Sequence, residues 1–246
     1  MTCRILLSGA TGAMGRAIAG LAGTDPDFEI TDSISRSSSL PEFPRVDALI
    51  DFSTPEQTRR CLEWCRVHEI PLVIGTTGLD DQDHRAVREA AGVIPVCVEA
   101  NFSVGVHLLY GLVEHAAGVL GDDFDAEVLE IHHRRKVDAP SGTALSLADI
   151  LARTGKTTAV TDRAGHSGAR KPEEVSLASL RGGDVAGEHT VFFLGDGERI
   201  ELSHRASSRE IFARGALRAA GMLAGQESGL HGFSDLLLTG PGHRRD

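Results

Sequence analysis

Lysine is nearly absent from this chain: three (Lys136, Lys156 and Lys171) stand against 22 arginines among 246 residues. Acidic residues outnumber basic ones and leave a formal net charge of −10, which argues against nonspecific binding to nucleic acid or to an anionic membrane. An anionic small substrate is not excluded, because a local basic pocket can sit in an acidic protein. Cysteine is limited to Cys3, Cys61, Cys65 and Cys97, with no C-x-x-C pair. That spacing supports neither a zinc site nor a disulfide framework, so no metal is expected. The thiols read as free and buried or half-buried in a reducing compartment, with Cys61 and Cys65 on one helix face. A run of about eighteen apolar residues is missing, and a strand starts almost at once after Met1 with no signal peptide before it. The chain is therefore expected to stay in the cytoplasm, with neither nucleic acid nor membrane as a partner.

What is present is ordinary globular composition, 41% hydrophobic and 24% charged, enough for one large domain or two modest ones. Apolar runs at 3–8, 28–34, 47–52, 71–74 and 94–98 read as buried strands alternating with helices, the pattern of a parallel, doubly wound sheet. Thr54 and Pro55 mark one helix start, as cap and first-turn residue. The stretch 35–46, with Ser37-Ser38-Ser39, Pro41 and Pro44, is near the minimum for a parallel crossover and is expected to be irregular. After Asn101 the pattern changes. A helix near 105–120, a strand at 126–133, a helix from about Thr143 and strands near 175–180, 189–194 and 199–204 suggest a mixed or mostly antiparallel sheet with helices on one side. Val191 to Leu194 are apolar on both strand faces, so a second cover is expected, another subunit being one candidate. A last helix, 210–223, is expected to return to the first domain. The domains are thus read as 1–103 with 210–246, a dinucleotide-binding fold, and 104–209, a substrate-binding and oligomerisation fold.

Gly9-Ala10-Thr11-Gly12-Ala13-Met14-Gly15-Arg16 follows a strand and opens a helix. Glycines there allow a tight turn, close backbone approach to a pyrophosphate and close helix packing. The helix N-terminus then offers N–H donors and a favourable dipole to the anion. About twenty residues on, where an acidic residue would accept from ribose hydroxyls, stand Ser35 and Arg36. Arg36 reads as a contact to a 2′-phosphate, which would favour NADPH over NADH, or as a solvated loop arginine. A short-chain dehydrogenase is excluded, because four positions after Tyr110, the sole tyrosine, stands Glu114 and not lysine.

The stretch Glu130-Ile-His132-His133-Arg134-Arg135-Lys136-Val-Asp138-Ala-Pro140-Ser141-Gly142-Thr143-Ala144 runs from a strand end through a basic turn into a helix start. Ser141 suits an N-cap and leaves the N–H groups of Gly142 and Thr143 for an anion. Two histidines titrate near neutrality, and Lys136, in a chain that defaults to arginine, offers a compact, tunable ammonium. The cluster fits a dicarboxylate whose reduction needs charge neutralisation and a proton. A solvated basic turn is the other reading; a nucleic-acid contact is disfavoured by the short run and the absence of aromatics.

This stretch resembles the signature of the dihydrodipicolinate reductase family. Ile50-Asp51-Phe52-Ser53, Gly75-Thr76-Thr77-Gly78, Ala100-Asn101-Phe102-Ser103-Val104-Gly105, Gly187-Glu188-His189-Thr190 and Ala206-Ser207-Ser208-Arg209 are similar to further segments of that family, in order along nearly the whole chain. The resemblance implies a Rossmann domain, a substrate domain with a mixed open sheet, a homotetramer built through those sheets, and reduction of a cyclic dicarboxylate by NADH or NADPH on the lysine/diaminopimelate route. Carried over, His132 would be the general acid/base and Lys136 a proton donor. His133, with the backbone of Gly142 and Thr143, would hold the substrate carboxylates. Gly9, Ala10, Thr11, Gly12, Ala13 and Met14, then Gly75, Thr76 and Thr77, then Glu99, Ala100, Asn101 and Phe102, would line the cofactor. Arg209 is added as a cation that closes over the substrate. Two departures stand out: the segment after Arg36 is short, and Ala13 replaces an arginine carried by many members. Competing readings are another Rossmann reductase acting on aspartate or a semialdehyde, and a redox sensor without turnover; a sensor would need neither His132 nor Lys136.

Overall fold

The computed structural model describes residues 2–35, 38–42, 45–161, 163 and 168–239. The chain divides into two compact units, one running to Val104 and resuming at Glu210, the other spanning Gly105–Arg209.

The first unit is built on β1 (Cys3–Ser8), β2 (Phe28–Ile34), β3 (Ala48–Asp51), β4 (Leu72–Ile74), β5 (Pro95–Val98) and the two-residue β11 (Gly229–Leu230). They form a six-stranded sheet in the order β11-β5-β4-β3-β1-β2, every pair parallel. Successive side chains of a strand point to opposite faces, and both faces here are covered. Ile5, Leu7, Ile50 and Val73 pack beneath α1 (Ala13–Ala22), α6 (Glu210–Leu223) and α7 (Phe233–Thr239). Leu6, Leu49, Leu72 and Val96 pack beneath α2 (Pro55–His68) and α3 (Asp81–Ala91). Two-sided burial is why these strands read as continuous apolar runs. Thr54 caps α2, its side chain accepting from Gln57 N, with Pro55 in the first turn; Asp80 and Asp83 form a capping box on α3. Cys61 and Cys65 are both buried on α2, and burial pushes the Cys61 thiol up to about 12. Between β2 and β3 no helix or strand occurs among the described residues.

In the second unit β6 (Asp125–His132) is central to a five-stranded mixed sheet ordered β10-β9-β6-β8-β7. It pairs antiparallel with β9 (Gly187–Gly195) and parallel with β8 (Glu174–Arg181). β10 (Glu198–Ala206) and β7 (Thr158–Val160) form the edges. α4 (Val104–Leu120) and α5 (Gly142–Ala152) supply Leu109, Val113, Leu147 and Leu151 to a core shared with Val128, Leu177, Val191 and Phe193. The other face of β9 is less covered, with Phe192 half-buried and Leu194 exposed.

Three short elements were not expected from the sequence: β7, β11 and α7. Two are strands of two or three residues, too short for alternation to be seen, and α7 follows β11 after only His231 and Gly232, with no Ser, Thr, Asp or Asn to mark its start. The segment Val104–Asp123 is long and apolar enough, by length and composition alone, to cross a membrane, but Glu114 and three histidine or tyrosine side chains interrupt it, so it is no unbroken apolar run. One stripe of it packs into the second core while Leu108, Leu112 and Val119 are exposed.

Candidate active site

The glycine turn after β1 is held by backbone geometry. Gly9 has φ +84°, and a Cβ there would stand 2.1 Å from Phe52 O. A Cβ on Gly15 would meet Gly9 O at 2.2 Å and Ala10 Cα at 2.6 Å, so the first turn of α1 lies directly on the loop. Gly12 is the N-cap residue, with extended backbone and no side-chain cap bond, which leaves the start of α1 to present its N–H groups outward. A cavity of about 640 Å³ opens here, lined by Gly9, Thr11, Gly12, Ser35, Phe52, Ser53, Thr54 and Gln57. It sits outside the carboxyl ends of β1, β2 and β3, where the strand order reverses, the place an open α/β sheet binds a nucleotide.

Its floor is braced by Asp51, fully buried at the end of β3. Thr76 Oγ1 donates to Asp51 Oδ2 at 3.0 Å and accepts from Ser53 N at 2.9 Å, and Ser53 and Thr58 hydroxyls donate to the same carboxylate. One carboxylate thus ties together the ends of β3 and β4 and the start of α2. Gly75 lies under the Phe52 ring, where a Cβ would come within 2.2 Å. Phe52 packs on Phe102 and Phe102 on Phe233, with centroids 5.9 and 5.4 Å apart. Glu99 Oε1 accepts from Phe233 N at 3.0 Å, and Asn101 Oδ1 from Ser103 N at 2.8 Å. Glu99 and Phe102 therefore hold the loop after β5 in place, Phe102 from within the core.

The second cluster is assembled by strand register. The buried face of β6 runs Ala126, Val128, Glu130, His132, apolar in its first half and ionisable in its second. Across the sheet, His189 of β9 stands opposite Glu130 and Arg181 of β8 opposite His132. Glu130 Oε2 is in direct ion-pair contact with His132 Nδ1. Glu130 Oε1 accepts from Arg181 Nη2 at 2.7 Å and from Ser141 N at 3.3 Å. Burial alone would raise the Glu130 carboxyl, but hydrogen bonds from Arg181 and Ser179, with the charges on His132 and Arg181, hold it below the ordinary glutamate range. Burial pushes His132 below the usual histidine range against the opposing pull of Glu130, with Lys136 and Arg181 adding to the downward push. His133 Nε2 accepts from Arg209 Nη2 at 2.6 Å. Lys136 Nζ lies 2.8 Å from Asp138 Oδ2. Ser141 caps α5, its hydroxyl accepting from Ala144 N at 3.2 Å, which places exposed Gly142 and buried Thr143 in the first turn of the helix, the end that favours an anion.

Models of two halves of one enzyme match this chain end to end: "Dihydrodipicolinate reductase, N-terminus" over residues 3–102 and "Dihydrodipicolinate reductase, C-terminus" over residues 105–237. The chain belongs to the dihydrodipicolinate reductase family. The 4-hydroxy-tetrahydrodipicolinate reductase of Pseudomonas fluorescens is 46% identical over 94% of this chain and 89% of its own length. That of Syntrophotalea carbinolica is 49% identical over 82% of this chain and 77% of its own length. A solved structure of a dipicolinate-bound dihydrodipicolinate reductase from Paenisporosarcina sp. TG-14 superposes with a TM-score of 0.75 at 24% identity, covering 94% of this chain and 98% of that one; it supports the fold. Membership makes the chain a pyridine-nucleotide-dependent oxidoreductase, and the glycine cradle, which any Cβ would fill, fits such a nucleotide.

The residues singled out in sequence fall into two local groups. Gly9, Thr11, Gly12 and Ser35 line the first cavity, with Ala10, Ala13 and Met14 on the same turn; Arg36 lies outside the described residues. Thr76 is buried in the Asp51 network while Thr77 and Ala100 are exposed. His132, His133, Lys136, Gly142, Thr143 and Arg209 all belong to the second group. Sequence reasoning gave no role to Glu130, Arg181 or His189, and treated Asp51 only as part of a resembling segment. The signal for Glu130 was available, since it precedes His132 by two residues on a strand and must share its face. Arg181 and His189 depend on pairing register, which a single sequence does not display.

Proposed function

We propose that this chain catalyses the reduction of 4-hydroxy-tetrahydrodipicolinate, by way of dihydrodipicolinate, to tetrahydrodipicolinate in lysine and diaminopimelate biosynthesis. The supporting observation is the concentration of acid–base and anion-binding groups at the end of β6. A buried histidine with a carboxylate partner, a second histidine under a guanidinium, a lysine and a capped helix N-terminus occur within a dozen residues of chain, the equipment a cyclic dicarboxylate needs.

A bound nicotinamide nucleotide supplies the hydride. The chain's own residues hold it and handle charge and protons. The N-terminal turn of α1 receives the pyrophosphate, and the Asp51 network keeps the loops after β3 and β4 from collapsing into the cavity. His133 and the first turn of α5, Gly142 and Thr143, receive the substrate carboxylates, with Arg209 supplying charge through His133. Lys136, released from Asp138, pairs with a carboxylate. His132, held against the Glu130 carboxylate at the end of β6, is the proton donor. NADPH is favoured over NADH because the sequence that follows β2 runs Ser35-Arg36, with a cation and no carboxylate at those two positions, although Ala13 removes one phosphate contact. A homotetramer built through the second sheet, whose neighbouring strands β9 and β10 expose Leu194 and Ile200, belongs to the same reading.

The test is oxidation of NADPH and NADH, side by side, with substrate generated in place from pyruvate and aspartate semialdehyde by the preceding synthase. Oxidation that depends on the synthase supports the reaction, and the ratio of kcat/KM values settles the nucleotide. A folded, nucleotide-binding sample that oxidises neither would move the case to another substrate or to a sensor.

A further inference from the structure

We propose that Glu130 is a positioning residue for the proton donor: one of its oxygens fixes which nitrogen of His132 carries hydrogen, while the other ties that histidine to the anion-binding end of α5. The inference rests on the reading of His132 as proton donor.

A carboxylate inside a sheet core is costly unless paired. Glu130 is fully buried, in line with Ala126 and Val128 on the inner face of β6, so its retention there calls for a reason beyond packing. Its two oxygens are used differently. Oε1 accepts from the Arg181 guanidinium and from Ser141 N, the N-cap residue of α5. Oε2 is in direct contact with His132 Nδ1, and Ser179, opposite Glu130 on β8, adds a hydrogen bond to the carboxylate. An ionised carboxylate accepts and cannot donate, so Nδ1 keeps its hydrogen and Nε2 is left as the nitrogen that exchanges a proton. Beside Nε2 stands Gly187, where a Cβ would come within 3.1 Å; the missing side chain leaves that space to a ligand.

The groups facing His132 from each packed element are Glu130 on β6, Arg181 on β8, His189 on β9 and Lys136 in the following loop. Of these Glu130 alone favours the imidazolium. His189 packs edge-on at 5.1 Å between ring centroids, and its Nε2 lies 3.2 Å from Ser141 Oγ. Burial and the neighbouring His132 push it down to about 3, so it stays neutral and leaves the charge of Glu130 to His132. Glu130, His132 and His189 bring ligand atoms within 4.8 Å of one another. A cation is already present there, the Arg181 guanidinium, and this favours a hydrogen-bonded relay of position over an ion site.

Glu130→Gln and Glu130→Asp decide the matter, each compared with wild type by kcat and KM across pH and by ¹⁵N NMR of the His132 ring. Glu130→Gln is expected to lower kcat about 10- to 100-fold, part of what general acid–base catalysis contributes, with KM little changed. Its high-pH limb moves to lower pH, because the charge favouring imidazolium is gone; Glu130→Asp keeps the wild-type limb. The wild-type ring is expected as the Nδ1–H tautomer. A Glu130→Gln enzyme with a wild-type limb and tautomer overturns the proposal, as does an Nε2–H tautomer in the wild type, a readout that stands even where the variant fails to fold. If wild type shows no turnover, the functional reading fails, while the tautomer still tests the positioning.

Discussion

After β1 the chain prepares for a ligand by removing side chains; after β6 it does so by adding them. Gly9, Gly12 and Gly15 leave backbone N–H groups and a helix end as the binding surface, and the tolerances there are steric, with hypothetical Cβ contacts of 2.1 and 2.2 Å at Gly9 and Gly15. At the end of β6 the tolerances are electrostatic: Glu130, His132, Arg181 and His189 are brought together on one sheet face, and the charges of Glu130, His132 and Arg181 act on their neighbours. A backbone site is indifferent to pH and intolerant of volume. A side-chain site is the reverse. The two units should therefore fail in different ways.

The largest effect is expected from His132→Gln, which keeps the volume and removes the titrating group. Turnover should fall on the order of 10²- to 10⁴-fold, with KM and nucleotide affinity changed far less; unaltered turnover would dismiss His132 as the proton donor. Gly15→Val is the complementary break. Added bulk against Gly9 O and Ala10 Cα costs about 1–3 kcal/mol as overpacking, enough to weaken nicotinamide-nucleotide binding by roughly tenfold or more. Binding of pyridine-2,6-dicarboxylate to the second unit should persist. Calorimetric titration with each ligand separates the two, and equal loss of both would dissolve the contrast.

The same contrast explains what the sequence made legible. Parallel strands buried on both faces, such as β1 and β3, appear as apolar runs, and a glycine turn next to one of them announces itself by spacing. The alternation of β6 is equally visible, and with it the pairing of Glu130 and His132 on one face. What joins residues far apart in the chain is not visible: Arg181 reaches Glu130 across 51 positions and Arg209 reaches His133 across 76. Both follow from register and loop geometry, which tertiary packing selects. β7 and β11 are invisible for the opposite reason, being too short for periodicity to act.

The smallest effect sharpens the comparison most. Buried histidines occur in the second unit (His107, His132 and His189) and, among the described residues, not in the first, where His68, His84 and His231 are all at least partly exposed. Burial and the neighbouring His132 hold His189 at about 3 in place of its usual 6.5. Between those two values the unfolded chain binds a proton that the folded chain refuses, so stability present above about pH 6.5 is lost as pH falls, at up to about 1.4 kcal/mol per pH unit for one proton. His132 and His204, also lowered by burial, act in the same sense. In the first unit, Asp47 beside Arg4 and Asp83 beside Arg59 are held below the ordinary aspartate range, so their contributions survive to lower pH and are lost only as it falls through those depressed values. Acid sensitivity just below neutrality should therefore belong to the second unit. His189→Gln is expected to flatten the dependence of the urea midpoint on pH between 6.5 and 4 by up to one proton equivalent. An equally steep acid limb in the variant would assign those protons elsewhere.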